Sequence, residues 1–346
     1  MTFFKTLEYS YIRQGGVRFD ILKFVLAMLI VAMHSSIFPR WLLPLPRLAV
    51  PLFFMMTSYF FHLKLKDVID NNERKQVLAK YVKRNIQLYL FWCVVFLPCV
   101  LLLHYYWFED GVVAVIFNIL KSFFITGFFA PASWFILSSI YAVAIVFVLS
   151  KWCKNGWIFF IALLVYIVAL LDSNYGGLLS EEARNQLNII DIRWSLNLPA
   201  AMVWVVIGKM LAEKPVIFST KLLYLLLIIA AVLYCLEFVM IEHYGWSIHT
   251  DCFLMSIPLC TLIFIAMGQS DDVKCKYALW LRKSSIIIYC VHQTTISMLR
   301  TVSFYYCLGL SELSIFIITL FISISTAAAI LYFSEKKGIK LLRYAY

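Results

Sequence analysis

Residues 222–241 read LLYLLLIIAAVLYCLEFVMI, and Glu237 is the one charged side chain among these twenty positions. Twenty helical residues, at about 1.5 Å each, cover the roughly 30 Å hydrocarbon core of a bilayer. An α-helix also satisfies every backbone N–H and C=O group within the segment, as the lipid interior requires. This stretch therefore predicts a membrane-spanning helix.

Similar apolar runs occur along the whole chain. Of its 346 residues 63% are hydrophobic and 14% are charged, more apolar surface than a soluble domain can bury. Ten spans are predicted, at Asp20–Phe38, Leu48–Leu63, Ile86–Tyr106, Trp134–Ser150, Trp157–Leu171, Leu198–Leu211, Leu222–Ile241, Cys252–Met267, Ser284–Leu299 and Leu313–Phe333. The sequence thus predicts an all-α polytopic membrane protein, a bundle of about ten transmembrane helices that forms a single domain over residues 1–346.

Lysine and arginine are distributed unevenly between the two sides of this arrangement. With a cytoplasmic N-terminus, the cytoplasmic segments hold 23 of the 30 Lys and Arg residues and the external segments hold 6, while Lys23 lies inside the first span. Positive residues accumulate on the cytoplasmic side, so both termini are predicted to be cytoplasmic. The same rule accounts for the net charge of +11, and we expect no nucleic-acid partner.

One further stretch, Val112–Phe129, is apolar enough to span but contains Asn118, Lys121 and Thr126. If it crossed the membrane, every later loop would change sides. Of the Lys and Arg residues in those later loops, 13 would then lie outside and 3 inside. The charge rule therefore favours a re-entrant or interfacial helix on the outer face.

Cysteine usage gives no sign of a metal centre. The nine cysteines are an odd number, lie mostly within or beside the apolar spans, and lack the spacing of metal ligands. We interpret them as packing residues and expect no metal and no tightly bound cofactor.

The first span carries two ionisable side chains, Lys23 and His34, eleven residues apart. Eleven residues are about three helical turns, so the two share one helix face and lie about 16 Å apart along the axis. Charged groups at membrane depth are costly and are functional candidates, and histidine exchanges a proton near neutral pH. The alternative is structural: Lys23 extends to the inner headgroups and His34 is a packing residue.

The ninth span carries a polar stripe at helical spacing, formed by Ser285, Tyr289, His292 and Gln293, with Arg300 at its outer end. Such a stripe is typical of a site wall. Hydrogen bonding between helices is the other explanation.

The first span, FDILKFVLAMLIVAMHSS (residues 19–36), resembles the opening helix of the acyltransferase 3 family of membrane-bound bacterial acyltransferases. That helix has an Arg followed eleven residues later by a His; His34 matches, and Lys23 stands in place of the Arg. The second span, PRLAVPLFFMMTSYFF (46–61), is similar to the family's R-x-x-V-P-L-F-F-x-x-S-G-Y segment. Arg47 matches, and Ser58 stands where glycine is usual.

Two later stretches extend the resemblance over nearly the whole chain. SWFILSSIYAV (133–143) resembles the family's WF-x-L-x-x-L-Y helix, anchored by Trp134. SIIIYCVHQTTI (285–296) resembles its late S-x-x-I-Y-x-x-H helix, anchored by Tyr289 and His292. The four motifs occur in the family's order.

The resemblance implies a multi-pass O-acyltransferase of the bacterial cytoplasmic (inner) membrane. Its donor would be acetyl-CoA or another acyl-CoA, and its acceptor a hydroxyl of a lipid-linked or cell-surface glycan. His34 is expected to act as the general base, with Lys23 as the second catalytic residue. The expected substrate-binding residues are Arg47, Ser58, Trp134, Tyr289 and His292, and the expected acyl-CoA contacts are Lys80, Lys83 and Arg84.

A transporter or flippase of glycan intermediates, without acyl transfer, is the alternative. Intramembrane charge occurs equally in transporters. Inverted repeats would favour a transporter, and the sequence shows none.

Overall fold

The computed structural model describes residues 2–103, 111–188, 191–269 and 273–346. Within these ranges it contains thirteen α-helices and no strand. The helices are α1 Thr2–His34, α2 Pro44–Arg47, α3 Ala49–Leu65, α4 Asn71–Leu103, α5 Val112–Lys121, α6 Trp134–Leu149, α7 Asn155–Leu171, α8 Glu181–Leu187, α9 Leu198–Glu213, α10 Thr220–Tyr244, α11 Ser256–Gln269, α12 Ala278–Tyr305 and α13 Glu312–Glu335. The all-α prediction is confirmed for the described residues.

The predicted spans coincide largely with helices. Among the described residues, five helical stretches are both long and apolar enough to cross a membrane: Arg40–Leu65, Asn71–Leu102, Pro131–Leu149, Thr220–Tyr244 and Glu312–Glu335. The count of about ten crossings and the cytoplasmic position of both termini stay predictions. The end of the third predicted span, at residues 104–106, lies outside the described residues.

The ambiguous stretch forms a short helix. α5 continues into a π-helical turn, Ser122–Thr126, which ends at Gly127 with φ +93°. A Cβ at Gly127 would also overlap Ser133, so glycine is required there for space as well as for backbone conformation. The resulting helix is too short to span the hydrocarbon core at about 1.5 Å per residue. Its position at the outer face stays a prediction.

The chain divides into two compact units. The first comprises Met1–Phe19, Arg47–Tyr81 and Ser138–Val273; the second comprises Asp20–Pro46, Val82–Leu137 and Lys274–Tyr346. Helices α1, α2, α4 and α6 contribute residues to both.

Helix α9 forms the centre of the first unit. It packs against α3 and α7, and most of its side chains are buried. Gly208 permits the close approach of α3, because a Cβ there would overlap the carbonyl oxygen of Met55 and lie 3.0 Å from the Ser58 Cβ. Trp204 and Tyr166 meet edge to face with ring centroids 5.6 Å apart. A glycine at the closest approach of two helices is an arrangement that close helix packing in lipid favours.

In the second unit α12 packs against α13 and against the 3₁₀ turn Pro131–Ser133. The C-terminal 3₁₀ helix, Lys340–Ala345, returns to α13. Its end is fixed by the indole of Trp92, which donates to the Ala345 carbonyl over 3.2 Å. Trp92 is fully buried, so this bond occupies a donor that would otherwise be unsatisfied.

Candidate functional site

Two histidines from distant parts of the sequence meet in the second unit. His34 is the last residue of α1, and His292 lies in the middle of α12. Their ring centroids are 5.3 Å apart with a tilt of 41°. His292 is fully buried, whereas His34 is half-buried. The arrangement places one accessible imidazole against one enclosed imidazole.

The backbone fixes the proton position on His292. Its Nδ1 lies 2.6 Å from the Tyr289 carbonyl oxygen. A carbonyl only accepts hydrogen bonds, so Nδ1 must carry the proton, and in the neutral ring Nε2 holds the lone pair. Nε2 is buried and has no hydrogen-bond partner among the residues that the structure describes. A buried polar atom without a hydrogen bond destabilises the folded state by about 1–3 kcal/mol. Such atoms are rare in native proteins and call for an explanation.

The polar stripe on α12 also fastens the turn that precedes α6. Tyr289 donates its hydroxyl to the Ala132 carbonyl over 2.7 Å, and the Gln293 side-chain oxygen accepts from the Ala132 amide over 2.7 Å. Thr294 donates to the Phe129 carbonyl over 3.0 Å. Hydrogen bonding, the second explanation of the stripe, is therefore present. A contact of Tyr289 with substrate stays a prediction.

Trp134 begins α6 directly after this turn and is buried. Its neighbour Phe135 meets the Tyr289 ring edge to face, with centroids 5.4 Å apart. The WF pair thus lies next to the helix that carries His292.

Behind His34 the chain makes a tight turn. Ser36 has φ +59°, a left-handed conformation uncommon outside glycine. Arg300 of α12 donates to the Ser36 hydroxyl over 3.2 Å and pairs with Glu312 of α13 at 2.9 Å. This arginine therefore ties the end of α1 to the beginning of α13. The sequence placed Arg300 at the end of the polar stripe but gave no partner for it.

Charged side chains gather around Lys23, at the other end of the same helix segment. Asp20 lies one turn before it and pairs with Arg282 of α12 at 3.8 Å. Arg282 and Arg84 of α4 both act electrostatically on Lys23. The sequence pointed to Lys23 and Arg84 but missed Asp20 and Arg282. Lys83 is exposed in this unit, and Lys80 is exposed in the first unit.

Arg47 and Ser58, both predicted to bind substrate, belong to the first unit. Arg47 pairs with the buried carboxylate of Asp251 at 2.7 Å and donates to the Thr250 hydroxyl over 3.3 Å. Arg193 pairs with the other oxygen of the same carboxylate.

Ser58 is fully buried where α3 meets α9. Its hydroxyl donates to the Val205 carbonyl over 2.5 Å. Ser58 thus adds a hydrogen bond between the two helices. Its contact with substrate stays a prediction.

In the first unit, the segment between α7 and α9 and the residues before α11 enclose a pocket of about 320 Å³. Most of its lining is polar, and three aliphatic side chains complete it: Asp172, Glu181, Arg184, Asn185, Asn188, Arg193 and His249, with Leu171, Leu187 and Ile248. Burial lowers the pKa of His249, and the charge of Arg193 lowers it further, while Asp251 opposes the shift. His249 is therefore neutral near pH 7 and adds a neutral donor and acceptor to the pocket.

A sequence model described as Acyltransferase domain, that of the acyltransferase 3 family, matches residues 17–333. An Enterococcus faecalis protein named amino-acid racemase is 24% identical over 317 residues, which are 85% of this chain and 42% of that protein. The chain thus spans less than half the length of this relative. No solved structure matches the chain.

Proposed function

The chain belongs to the acyltransferase 3 family, and from that premise we propose that it moves acetyl from acetyl-CoA, or another acyl group from its CoA thioester, to a hydroxyl of a lipid-linked or cell-surface glycan. Acyl transfer is the activity that the family match supports. The donor, the acceptor and the base are parts of the proposal. The observation that carries it is the half-buried imidazole of His34 against the buried imidazole of His292.

Acyl transfer requires one base, which takes the proton of the acceptor hydroxyl and later gives it to the leaving thiolate. The acceptor oxygen attacks the thioester carbonyl while His34 takes the hydroxyl proton. The C–S bond then breaks, the new ester C–O bond remains, and the leaving thiolate takes the proton from His34. Because His34 ends a long helix, the partial negative charge of the helix C-terminus favours the imidazolium that forms.

The charged group around Lys23 supports an anionic donor. Lys23, Arg84 and Arg282 bring three positive charges together, with Asp20 as the nearby negative charge. The phosphates of acyl-CoA would find planar guanidinium donors there. Lys80 and Lys83 are exposed on α4 and remain proposed contacts for the donor. The competing explanation is that any cytoplasmic segment is basic.

The pocket between α7 and α9 supports the proposal of a polyhydroxylated acceptor. Its two carboxylates and two guanidinium groups balance, and its amides donate and accept, so hydroxyl groups fit better than a strong anion. Arg47, Trp134 and Tyr289 remain proposed contacts for the acceptor. The sequence resembles the O-acetyltransferase of enterobacterial common antigen. We therefore propose a glycan similar to that antigen as the acceptor.

The test is transfer of label from radioactive acetyl-CoA to glycan in bacterial inner membranes that contain the protein. Mass spectrometry of surface glycans from a deletion strain identifies the acylated position. We expect acetyl-bearing glycan that disappears with the gene. A protein that moves glycan across the membrane but never transfers an acyl group would instead be a transporter or flippase.

A further inference from the structure

We propose that His292 is a positioning residue for His34: its Nε2 accepts a hydrogen bond from a ring N–H of His34 and so fixes the orientation of the base. The inference deepens the proposed acyl transfer and rests on it.

The ring of His292 is held by its own helix. Donation from Nδ1 to the Tyr289 carbonyl, one turn back on the same helix, fixes both the tautomer and the ring plane. The side chain has no exposed surface, so water does not compete for Nε2 from bulk solvent. His292 therefore presents one fixed lone pair inside the protein.

His34 is placed to donate to that lone pair, whereas two neighbouring side chains are engaged elsewhere. The Tyr289 hydroxyl is directed to the Ala132 carbonyl, and Gln293 receives the Ala132 amide through its oxygen. The ring in contact with His292 from another helix is that of His34. A small rotation of the His34 ring, whose centroid lies 5.3 Å from that of His292, brings a ring N–H toward Nε2.

The neutral ring of His34 can serve both contacts at once, one through its N–H and the other through its lone pair. A neutral imidazole has one N–H and one lone pair. If the N–H of His34 is donated to His292, the lone pair of its other nitrogen is left for the acceptor hydroxyl. When that nitrogen takes the hydroxyl proton, the bond to His292 becomes charge-assisted and stronger. His292 itself gains and loses no proton.

The charge of the pair also stays low. Two adjacent imidazolium ions would repel, so the pair carries at most one positive charge during the reaction. Among the described residues, the titratable and charged side chains at this end of α12 and α13 include Tyr289, Arg300 and Glu312. Asp20, Lys23 and Arg282 lie about three helical turns or more away along α1 and α12. Arg300 and Glu312 neutralise one another, which leaves the imidazoles as the proton-exchanging groups at this end of the unit.

Two substitutions separate the two nitrogens of His292. In His292→Asn the side-chain amide can still donate to the Tyr289 carbonyl from the Nδ1 position, but nothing replaces Nε2 as acceptor. In His292→Gln the side-chain oxygen can reach the Nε2 position and accept from His34. Asn thus keeps the bond to the Tyr289 carbonyl and loses the acceptor for His34, whereas Gln keeps the acceptor and loses the bond to Tyr289.

We expect kcat to fall by about tenfold to a hundredfold in His292→Asn, the value of one hydrogen bond to a charged group. KM for donor and acceptor should stay within about twofold, because no substrate contact is lost. The pH–rate profile should be displaced in His292→Asn and close to that of the wild type in His292→Gln. Equal losses in both variants at equal amounts of folded protein would show a packing role and overturn the inference. A rise in KM with unchanged kcat would also overturn it, since it would indicate substrate contact.

Nitrogen-15 NMR of histidine-labelled protein tests the contact without any activity. The chain has six histidines, so the resonances of His34 and His292 can be assigned from single variants. We expect His292 to show the Nδ1–H tautomer, and we expect the His34 resonances to change in His292→Asn but much less in His292→Gln. Unchanged His34 resonances in both would refute the inference. A wild-type protein with this contact but without transfer from any acyl-CoA would refute the proposed function alone.

Discussion

The guanidinium of Arg47 lies 2.7 Å from the carboxylate of Asp251, and the other oxygen of that carboxylate pairs with Arg193. Asp251 also accepts from the Ser195 hydroxyl over 3.3 Å. One buried carboxylate therefore holds three separate parts of the first unit: the end of α2, the 3₁₀ turn before α9 and the loop before α11. Its removal would leave Arg47 and Arg193 without the carboxylate that they share.

We expect Asp251→Asn to destabilise the first unit strongly, by up to about 3–5 kcal/mol, as when one member of a buried ion pair is removed. The half-exposed position of Arg193 reduces this loss. The measurement is thermal unfolding of purified protein in detergent. Glu335→Gln, which breaks the exposed pair with Lys283, is the control and should cost no more than about 1 kcal/mol. Similar melting temperatures for the two variants would contradict the prediction.

Replacing His34 by Gln should lower the rate of acyl transfer by about 10²–10⁴-fold, because a positioned general base contributes that much. Glutamine keeps most of the volume and the hydrogen bonding, so a merely structural histidine would tolerate the change. His243→Gln is the control, since His243 is exposed near the end of α10. Acetyl incorporation is measured beside the amount of protein in the membrane. Near wild-type transfer by a normally inserted His34→Gln protein would remove His34 from the mechanism.

The group around Lys23 predicts an effect on the donor. Lys23→Ala should raise KM for acyl-CoA and lower transfer, whereas Lys23→Arg should preserve or raise it, because the guanidinium binds phosphate through two parallel bonds. Arg84→Gln should raise KM more than Lys80→Gln, because Arg84 acts on Lys23 while Lys80 lies in the first unit. Initial rates at several ionic strengths measure this, since screening weakens donor binding. Equal donor kinetics in all four variants would argue against a donor site here.

Gly208→Ala should destabilise the packing of α3 on α9. The added methyl would overlap the Met55 carbonyl and crowd Ser58, and overpacking of this kind costs about 1–3 kcal/mol. Gly156→Ala is the matched control on α7, where a Cβ meets nothing within 4 Å. Melting temperatures of the two purified proteins give the answer. A Gly208→Ala protein as stable as the control would mean that α3 moves away at no cost.

The orientation can be tested by labelling single cysteines from the two sides of the membrane. Because positive charge concentrates in residues 64–85 and 334–346, these segments should react only from the cytoplasm, and 173–197 only from outside. Protein that lacks the nine native cysteines is the background. External labelling near the C-terminus would show an odd number of crossings.

Helix positions were the part of the fold that the sequence predicted well. Each apolar run is a local signal, and in lipid its length and composition decide the outcome. The helix boundaries differ where polar residues extend a helix beyond the lipid, as at α4, which begins at Asn71 rather than near Ile86. The division into two units could not be predicted, because it depends on which helices touch.

The site was predictable only residue by residue. Helical spacing and family resemblance pointed to His34 and His292 separately, but their contact is tertiary and leaves no local pattern. Asp251 lies in a loop without periodicity, so nothing marked it as the partner of Arg47. Glu237, the one charged side chain of its span, accepts from the Tyr175 hydroxyl and from the amides of Leu254 and Met255, and no local pattern marked these partners.

Helix α1 carries Lys23 and His34 on a single unbroken rod, and their separation of about 16 Å is therefore set by the α-helix itself. This fixed distance would set the length that a donor has to bridge. A molecule that places phosphate against Lys23 and its reactive carbonyl beside His34 must have an extended arm of matching reach between the two groups. Under the proposed mechanism, small activated acyl compounds such as acyl phosphates would not reach both residues at once, so the helix would select donors by length.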